Sequence, residues 1–231
     1  AKGAPLISVA PMMEWTDVYY RNLARLLSKR TWLYTEMIVD KTLVYKDKEG
    51  QSLDPWLYFA QAQHPVVLQL GGNNASEMFE AVKLASSYGY DEINLNCGCP
   101  SPRVSGKGCF GAALMKDPQS VRTLITRMEE ASPVPVTIKC RLGVDDNDTY
   151  PELVRFVKET SEGLSLNHFI IHARKAFLKG LSPAQNRDVP PLKYDWVFRL
   201  AEDFPHLHFS LNGGVKDLEE AKALLARRGE K

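Results

Sequence analysis

Seven short apolar runs rich in β-forming residues recur along this chain, and most are separated by segments of helical period. No other feature constrains the fold as strongly. The runs are LISVA (6–10), WLYTEM (32–37), VVLQL (66–70), YDEINLN (90–96), PVTIKC (135–140), NHFIIH (167–172) and LHFSLN (207–212). Each has the length of a strand. Between them, segment 75–89 puts Met78, Val82 and Ala85 on one helical face. Segment 117–131 likewise groups Val121, Leu124, Ile125 and Met128. Segment 216–229 carries helix-start marks, with Asp217 as N-cap and Glu219 and Glu220 in the first turn. Strand, helix, strand in steady alternation predicts an α/β protein with a parallel sheet. The step of roughly 30 residues suits a (β/α)8 TIM barrel, whose eight units take about 250. Seven of the eight units fit within residues 1–231, and the eighth strand would follow Lys231. A doubly wound open sheet is the rival, and periodicity does not separate the two.

Residues at the ends of the runs favour the barrel. Pro11-Met12-Met13, Glu36, Gln69, Asn94 with Asn96, Lys139 with Arg141, His172 and Asn212-Gly213-Gly214 all fall at or near a strand's carboxyl end. A barrel gathers those ends at one mouth, where active sites sit. An open sheet gives them no common mouth. No linker marks a second domain.

Composition sets the outer bounds. With 44% hydrophobic and 25% charged residues, the chain can bury a substantial core. Four cysteines are too few for a disulfide scaffold and suit a reducing compartment. No apolar run reaches the roughly 18 residues of a membrane span, and the opening AKGAPLISVAPMMEW lacks a signal peptide's pattern. The first residue is not Met and the chain stops at ARRGEK, so the sequence reads as a fragment. A net charge of +1 leaves nucleic acid open, because bulk charge says nothing of local patches. The candidate patches are Arg103 with Lys107, and Arg174, Lys175 and Lys179 in HARKAFLKG.

Three of the cysteines, Cys97, Cys99 and Cys109, crowd into NLNCGCPSPRVSGKGCFGAALM (94–115). A structural zinc site wants C-x₂₋₄-C pairs, whereas this stretch has C-x-C, a distant third Cys and no His. A disulfide between Cys97 and Cys99 would be strained, and if the strand continues, alternation is expected to bring at most one of them to the mouth. Cys99 stands out because Pro100 holds it extended, in a loop just beyond a strand end. A thiol near its free pKa of about 8.5 is protonated at neutral pH. It can act as a general acid if no cation depresses that value; otherwise it is a packing residue. Lys139 either reaches out to solvent or points a cation into the mouth. His172 is either a hydrogen-bonded structural residue or part of the site. Gly213-Gly214 marks either a turn or an anion cradle ahead of a helix. Gln69 is either a hydrogen-bonding strand end or a loop entry.

Together these pieces resemble the tRNA-dihydrouridine synthase family, and most closely its A subfamily. The likeness rests on APMMEWTD, LYTEM, VVLQLGG, YDEINLNCGCPSPRV, FGAALM, IKCRLGVDD, FIIHARKAFLKGLSPAQNR and LNGGVKDLEEAKA, in that order across almost the whole chain. HARKA, GLSP and NR point to the A subfamily. The resemblance implies an FMN-containing barrel that reduces D-loop uridine in tRNA, at positions 20 and 20a, with NADPH as reductant of the flavin. The flavin would deliver hydride to uracil C6 and a thiol would protonate C5. By position, Cys99 matches the proton donor. Pro11, Met12, Met13, Gln69, Lys139 and His172 match flavin contacts, and Asn212, Gly213 and Gly214 the phosphate end. Asn96 matches a residue facing the uracil, and Arg174 and Arg187 tRNA contacts. Arg103, Lys107 and Lys175 would hold phosphates beside them, and the target base must leave its stack to enter the mouth. The resemblance implies a cytoplasmic or, in a eukaryote, organellar monomer that binds tRNA and needs neither metal nor membrane.

The chain departs from the family pattern in places. Ala184 stands where the subfamily has a basic residue, and Cys97 where the family has a small or apolar one. The family's eighth strand, with its Gly-Arg, and its C-terminal helical tRNA-binding domain are absent, which predicts an exposed edge strand. Cys97 and Cys109 read as bystanders, Cys109 as packing. Two other readings compete. One is an FMN barrel acting on a free pyrimidine, similar to dihydroorotate dehydrogenase; the basic HARKAFLKGLSP segment weighs against it. The other is a non-catalytic RNA-binding barrel, against which the retained Cys99, Lys139 and His172 weigh.

Overall fold

The computed structural model describes residues 5–106 and 109–229. Its seven strands are β1 (Ser8–Val9), β2 (Trp32–Val39), β3 (Val66–Gly71), β4 (Glu92–Cys97), β5 (Val136–Arg141), β6 (His168–His172) and β7 (His208–Asn212). Each of the seven predicted runs overlaps one of them, and β2 to β5 extend one or two residues further. All pairings are parallel, and every strand lies beside its sequence neighbour, in the order β1 to β7. A doubly wound sheet reverses strand order at a switch point. This sheet never does, so the open-sheet rival fails and the strands form seven staves of a (β/α)8 barrel.

Alternation along the strands separates two environments. Leu68, Leu70, Ile93, Leu95, Cys97, Ile138, Cys140, Phe169 and Ile171 join the apolar core between sheet and helices. Met78, Val82 and Ala85 of helix Ala75–Ala85 complete that core, as do Val121, Leu124, Ile125 and Met128 of helix Pro118–Ala131. These are the faces the helical period predicts. Burying each such side chain contributes about 1.5–3 kcal/mol. Helix starts are fixed by side chains. Asp17, Asn74 and Asp117 accept bonds from first-turn N–H groups, and Thr149 and Glu152 form a capping box. Asp217 accepts from Glu220 N at 2.8 Å, as its N-cap assignment requires.

The opposite set of strand residues, Gln69, Asn94, Asn96, Glu92, Thr137, Arg141, His168 and His172, is polar and buried. Lumens of such barrels are usually filled by branched apolar side chains, so this polar lumen is a departure. Register aligns it: Gln69 faces Asn94, Asn94 faces Thr137, Asn96 faces Lys139, Arg141 faces His172 and His172 faces Asn212.

Cys97 and Cys140 are register partners on the helix side, both fully buried. Burial raises the Cys97 thiol well above its ordinary pKa and takes Cys140 to about 12. Cys99 diverges from Cys97 because the strand stops. On a continuing strand, residues two apart would share a face, but the chain turns at Gly98. Cys109 corrects its sequence reading: it is exposed, at φ 51°, with its thiol donating to Gly106 O at 3.2 Å. The neighbouring Phe110 does the packing.

At the flank formed by β1, apolar groups face outward. Leu6, Tyr19, Leu23, Leu26 and Leu27 are all exposed, and among the described residues β1 and β7 are paired on one side only. This is the exposed edge the sequence predicts.

Candidate active site

The loop after β4 is shaped by Asn96. Its Oδ1 accepts from Gly98 N at 3.0 Å and Cys99 N at 2.9 Å, turning the backbone sharply as the strand ends. From the other side, Ala112 N donates to Cys99 O at 2.9 Å. Gly111 lets the two segments meet: it has φ 65°, and a Cβ there would stand 2.6 Å from Cys99 O. Arg141 adds a third tie, donating from Nε to Gly98 O at 3.1 Å and from Nη1 to Asn186 O at 2.9 Å. It braces the Cys99 loop against the short helix Gln185–Asp188, which carries Arg187.

Burial raises the Cys99 pKa, opposed by a backbone hydrogen bond from Ser101 and by the charges of Arg141, Lys139 and Arg187. Burial wins, so the thiol keeps its proton at neutral pH. The condition the sequence sets for a general acid is met even though three cations surround it.

Those cations converge on the mouth. Burial, with Arg141 adding repulsion, lowers Lys139 to about 8. Arg141 falls to about 10, chiefly by burial. His172 falls to about 2 through burial first, with Arg141, Lys139, Arg174 and Arg187 all pushing the same way. It is therefore a neutral imidazole at physiological pH. Lys139 lies on the lumen face of β5, beside Asn96 in register, and is half-buried. Crowded cations with depressed pKa values favour an anionic occupant.

The remaining predicted residues take varied places. Gln69 lies fully in the lumen, bonded to Asn94 and Asn96 at 2.9 Å each. Asn96 is buried, with its carbonyl oxygen committed to the Cys99 loop. Asn212 pairs with His172 in register. Gly213, at φ 100°, lies so close to the His172 ring that any side chain would overlap it. Gly214 is also at positive φ, and Tyr194 Oη donates to Gly213 O at 2.6 Å. Met12 and Met13 are exposed beside Pro11, above β1. Thr16 Oγ1 accepts from Met12 N at 3.0 Å, and Glu14 N donates to Glu36.

The basic segment is less free than its sequence suggests. Lys175 pairs with Asp148 at 3.0 Å and donates to Asp145 O at 3.1 Å, so it is held within the protein rather than offered to phosphate. Arg174 Nη1 donates to Pro190 O and Asp188 O, while its buried Nε has no partner among the described residues. Arg187 acts on both Cys99 and His172. Arg103 and Lys179 are exposed, and Lys107 lies outside the described residues. Sequence reasoning gave no role to Arg141, although its inward strand-end position was the available signal. It missed Glu92, Thr137 and His168 altogether.

Among the described residues, no group of three or more His, Cys, Asp or Glu side chains is arranged to hold a metal ion. No helix there is long and apolar enough to cross a membrane. The family model described as Dihydrouridine synthase (Dus) matches residues 8–231. A tRNA-dihydrouridine(20/20a) synthase of Vibrio vulnificus (strain CMCP6) is 49% identical, over 94% of this chain and 64% of its own length. The protein of that name from Escherichia coli (strain K12) is 48% identical, over 94% and 61%. The chain thus spans less than two thirds of these relatives. A solved lyase/mutase candidate from Burkholderia cenocepacia J2315 superposes with TM-score 0.54 over 96% of this chain and 74% of that one, at 14% identity. That likeness shows the fold alone.

Proposed function

This chain belongs to the dihydrouridine synthase family, and from that premise we propose that it is the catalytic barrel of an enzyme reducing uridine at positions 20 and 20a of tRNA to 5,6-dihydrouridine. The positions come from the names of its relatives. The observation that carries the chemistry is Cys99: a protonated thiol, held at the mouth by Asn96, within a cluster of cations.

The mouth suits FMN. The charges of Arg141, Lys139, Arg174 and Arg187 all reach neutral His172, which supports an anionic group among them, and Gly213 lets the end of β7 pack directly against the His172 ring. Lys139, His172 and Gln69 would hold the ring system, Pro11, Met12 and Met13 would cover it, and Asn212, Gly213 and Gly214 would take the phosphate. When bound, FMN reduced by NADPH supplies the hydride that no side chain can carry.

This chain's residues do the rest. Cys99 Sγ gives its proton to uracil C5, and the Sγ–H bond breaks as the C5–H bond forms. Arg141, Lys139 and Arg187 then stabilise the thiolate that remains, because they favour the charged form. Solvent restores the proton. Asn96 and Arg141 keep the thiol from drifting off line. Arg174 and Arg187 hold the RNA near the mouth, while the target base leaves its stack. We place the C-terminal helical tRNA-binding domain beyond this barrel, and the protein in the cytoplasm as a monomer.

The test is the dihydrouridine content at positions 20 and 20a of tRNA from a strain lacking the full-length gene. Dihydrouridine should be missing and return with the intact gene. Undiminished dihydrouridine in the deletion strain would overturn the reading.

A further inference from the structure

Asn96, which fixes the Cys99 loop, is itself the top of a buried chain of side chains that runs down the β3–β4–β5 wall of the lumen to its floor. Its amide orientation is set from above. Two backbone N–H groups, of Gly98 and Cys99, meet the same atom, which must therefore be the oxygen. Its Nδ2 then donates to Gln69 Oε1 at 2.9 Å, which forces Gln69 Nε2 toward Asn94 Oδ1 at 2.9 Å. Asn94 Nδ2 in turn donates to Thr137 Oγ1 at 2.8 Å, and the Thr137 hydroxyl donates to Glu92 Oε1 at 2.6 Å. Every donor points down the barrel. The upper end consists of backbone groups that only donate, and that end alone sets each amide below it down to the Thr137 hydroxyl, so the usual ambiguity of amide orientation is absent here.

The floor is built to keep that direction. Tyr34 Oη also donates to Glu92 Oε1, at 3.4 Å, and His168 Nδ1 stands 3.9 Å from Glu92 Oε2. His168 Nε2 is bonded to Ser210 Oγ at 2.8 Å. Burial, with Glu92 adding to it, holds Tyr34 in its phenol form as a donor. The members of the chain are buried, so no water competes for their donors, and linked bonds of this kind strengthen one another.

We propose that Glu92 and Thr137 are positioning residues: through the one-way chain Thr137–Asn94–Gln69–Asn96 they hold the Cys99 loop in register with the substrate, from the opposite end of the lumen. The proposal rests on the reading of Cys99 as the acid. Thr137 is the link to cut. Thr137→Val keeps the shape and removes the hydroxyl, leaving Asn94 Nδ2 buried without an acceptor and free to rotate. Thr137→Ser keeps the hydroxyl and should rescue.

The experiment uses the full-length protein with Cys109→Ser, which removes the exposed thiol, and follows alkylation of Cys99 by iodoacetamide with peptide mass spectrometry. Thr137→Val should raise the Cys99 alkylation rate about tenfold, and lower kcat about 10- to 100-fold with KM for tRNA within about twofold. Thr137→Ser should restore both. Leu124→Ala, in the helix-side core, should lower Tm while leaving Cys99 alkylation unchanged well below Tm, which separates positioning from general loosening. If Thr137→Val fails to fold, Glu92→Met, which removes the oxygen that orients the Thr137 hydroxyl, reads in the same direction. Unchanged alkylation and kcat in Thr137→Val, or an equal rise in alkylation in Leu124→Ala, would overturn the proposal. If alkylation rises as expected while Cys99→Ala remains active, the chain positions the loop but Cys99 is not the acid.

Discussion

Cys97 and Cys99 stand two residues apart and belong to different regions of the molecule. Cys97 lies in the apolar jacket between sheet and helices, packed beside Cys140. Cys99 lies at the top of a polar lumen, its backbone tied to Asn96 and its thiol facing cations. Burial raises both pKa values, with different consequences. In the jacket it makes a thiol inert. At the mouth it keeps the thiol protonated among charges that favour the thiolate. The two faces of the same strands thus divide the work: outward residues hold the barrel together, and inward residues set directions and charges. A change on one face should leave the other's property nearly intact.

The sharpest way to break that division is Cys99→Ala. Dihydrouridine formation should fall about 100-fold or more, with FMN still bound and still reduced by NADPH. Lys139→Ala comes next: loss of a charge-assisted contact should weaken FMN binding by about 10- to 100-fold, measured by fluorescence titration of the apoprotein. The pH dependence follows from the same group. Lys139 loses its charge as pH rises through about 8, so FMN affinity should fall above that pH. It should be flat there in Lys139→Ala. On the jacket side, Leu124→Ala should cost about 2–5 kcal/mol in denaturant unfolding, while turnover of the folded fraction stays near wild type. The smallest effect belongs to Cys97→Ala, which should cost about 1 kcal/mol and leave dihydrouridine formation within about twofold.

The jacket was legible in the sequence because burial leaves a period. Met78, Val82, Leu124 and Met128 repeat at helical spacing, and the apolar runs mark the strands. The mouth was partly legible, because Gln69, Lys139 and His172 fall where strands end. The floor of the lumen was not. Glu92, Thr137 and His168 look like ordinary polar residues until register brings them together across β4, β5 and β6, and register is a property of pairing between distant segments. The pairing of Lys175 with Asp148 was hidden for the same reason. So was the Arg141 brace, whose partners come from the loop after β4 and the short helix Gln185–Asp188. The separation of Cys97 from Cys99 depended on where β4 stops, and an Asn side chain bonding two N–H groups ahead of it determines that.

The central claim is that one thiol works and its neighbour does not. Single-turnover formation of dihydrouridine by the pre-reduced full-length enzyme tests it most directly, with Cys99→Ala and Cys97→Ala compared under identical conditions. The account predicts a rate lower by about 100-fold or more in Cys99→Ala and a near-normal rate in Cys97→Ala. A slow Cys97→Ala beside a normal Cys99→Ala would contradict it.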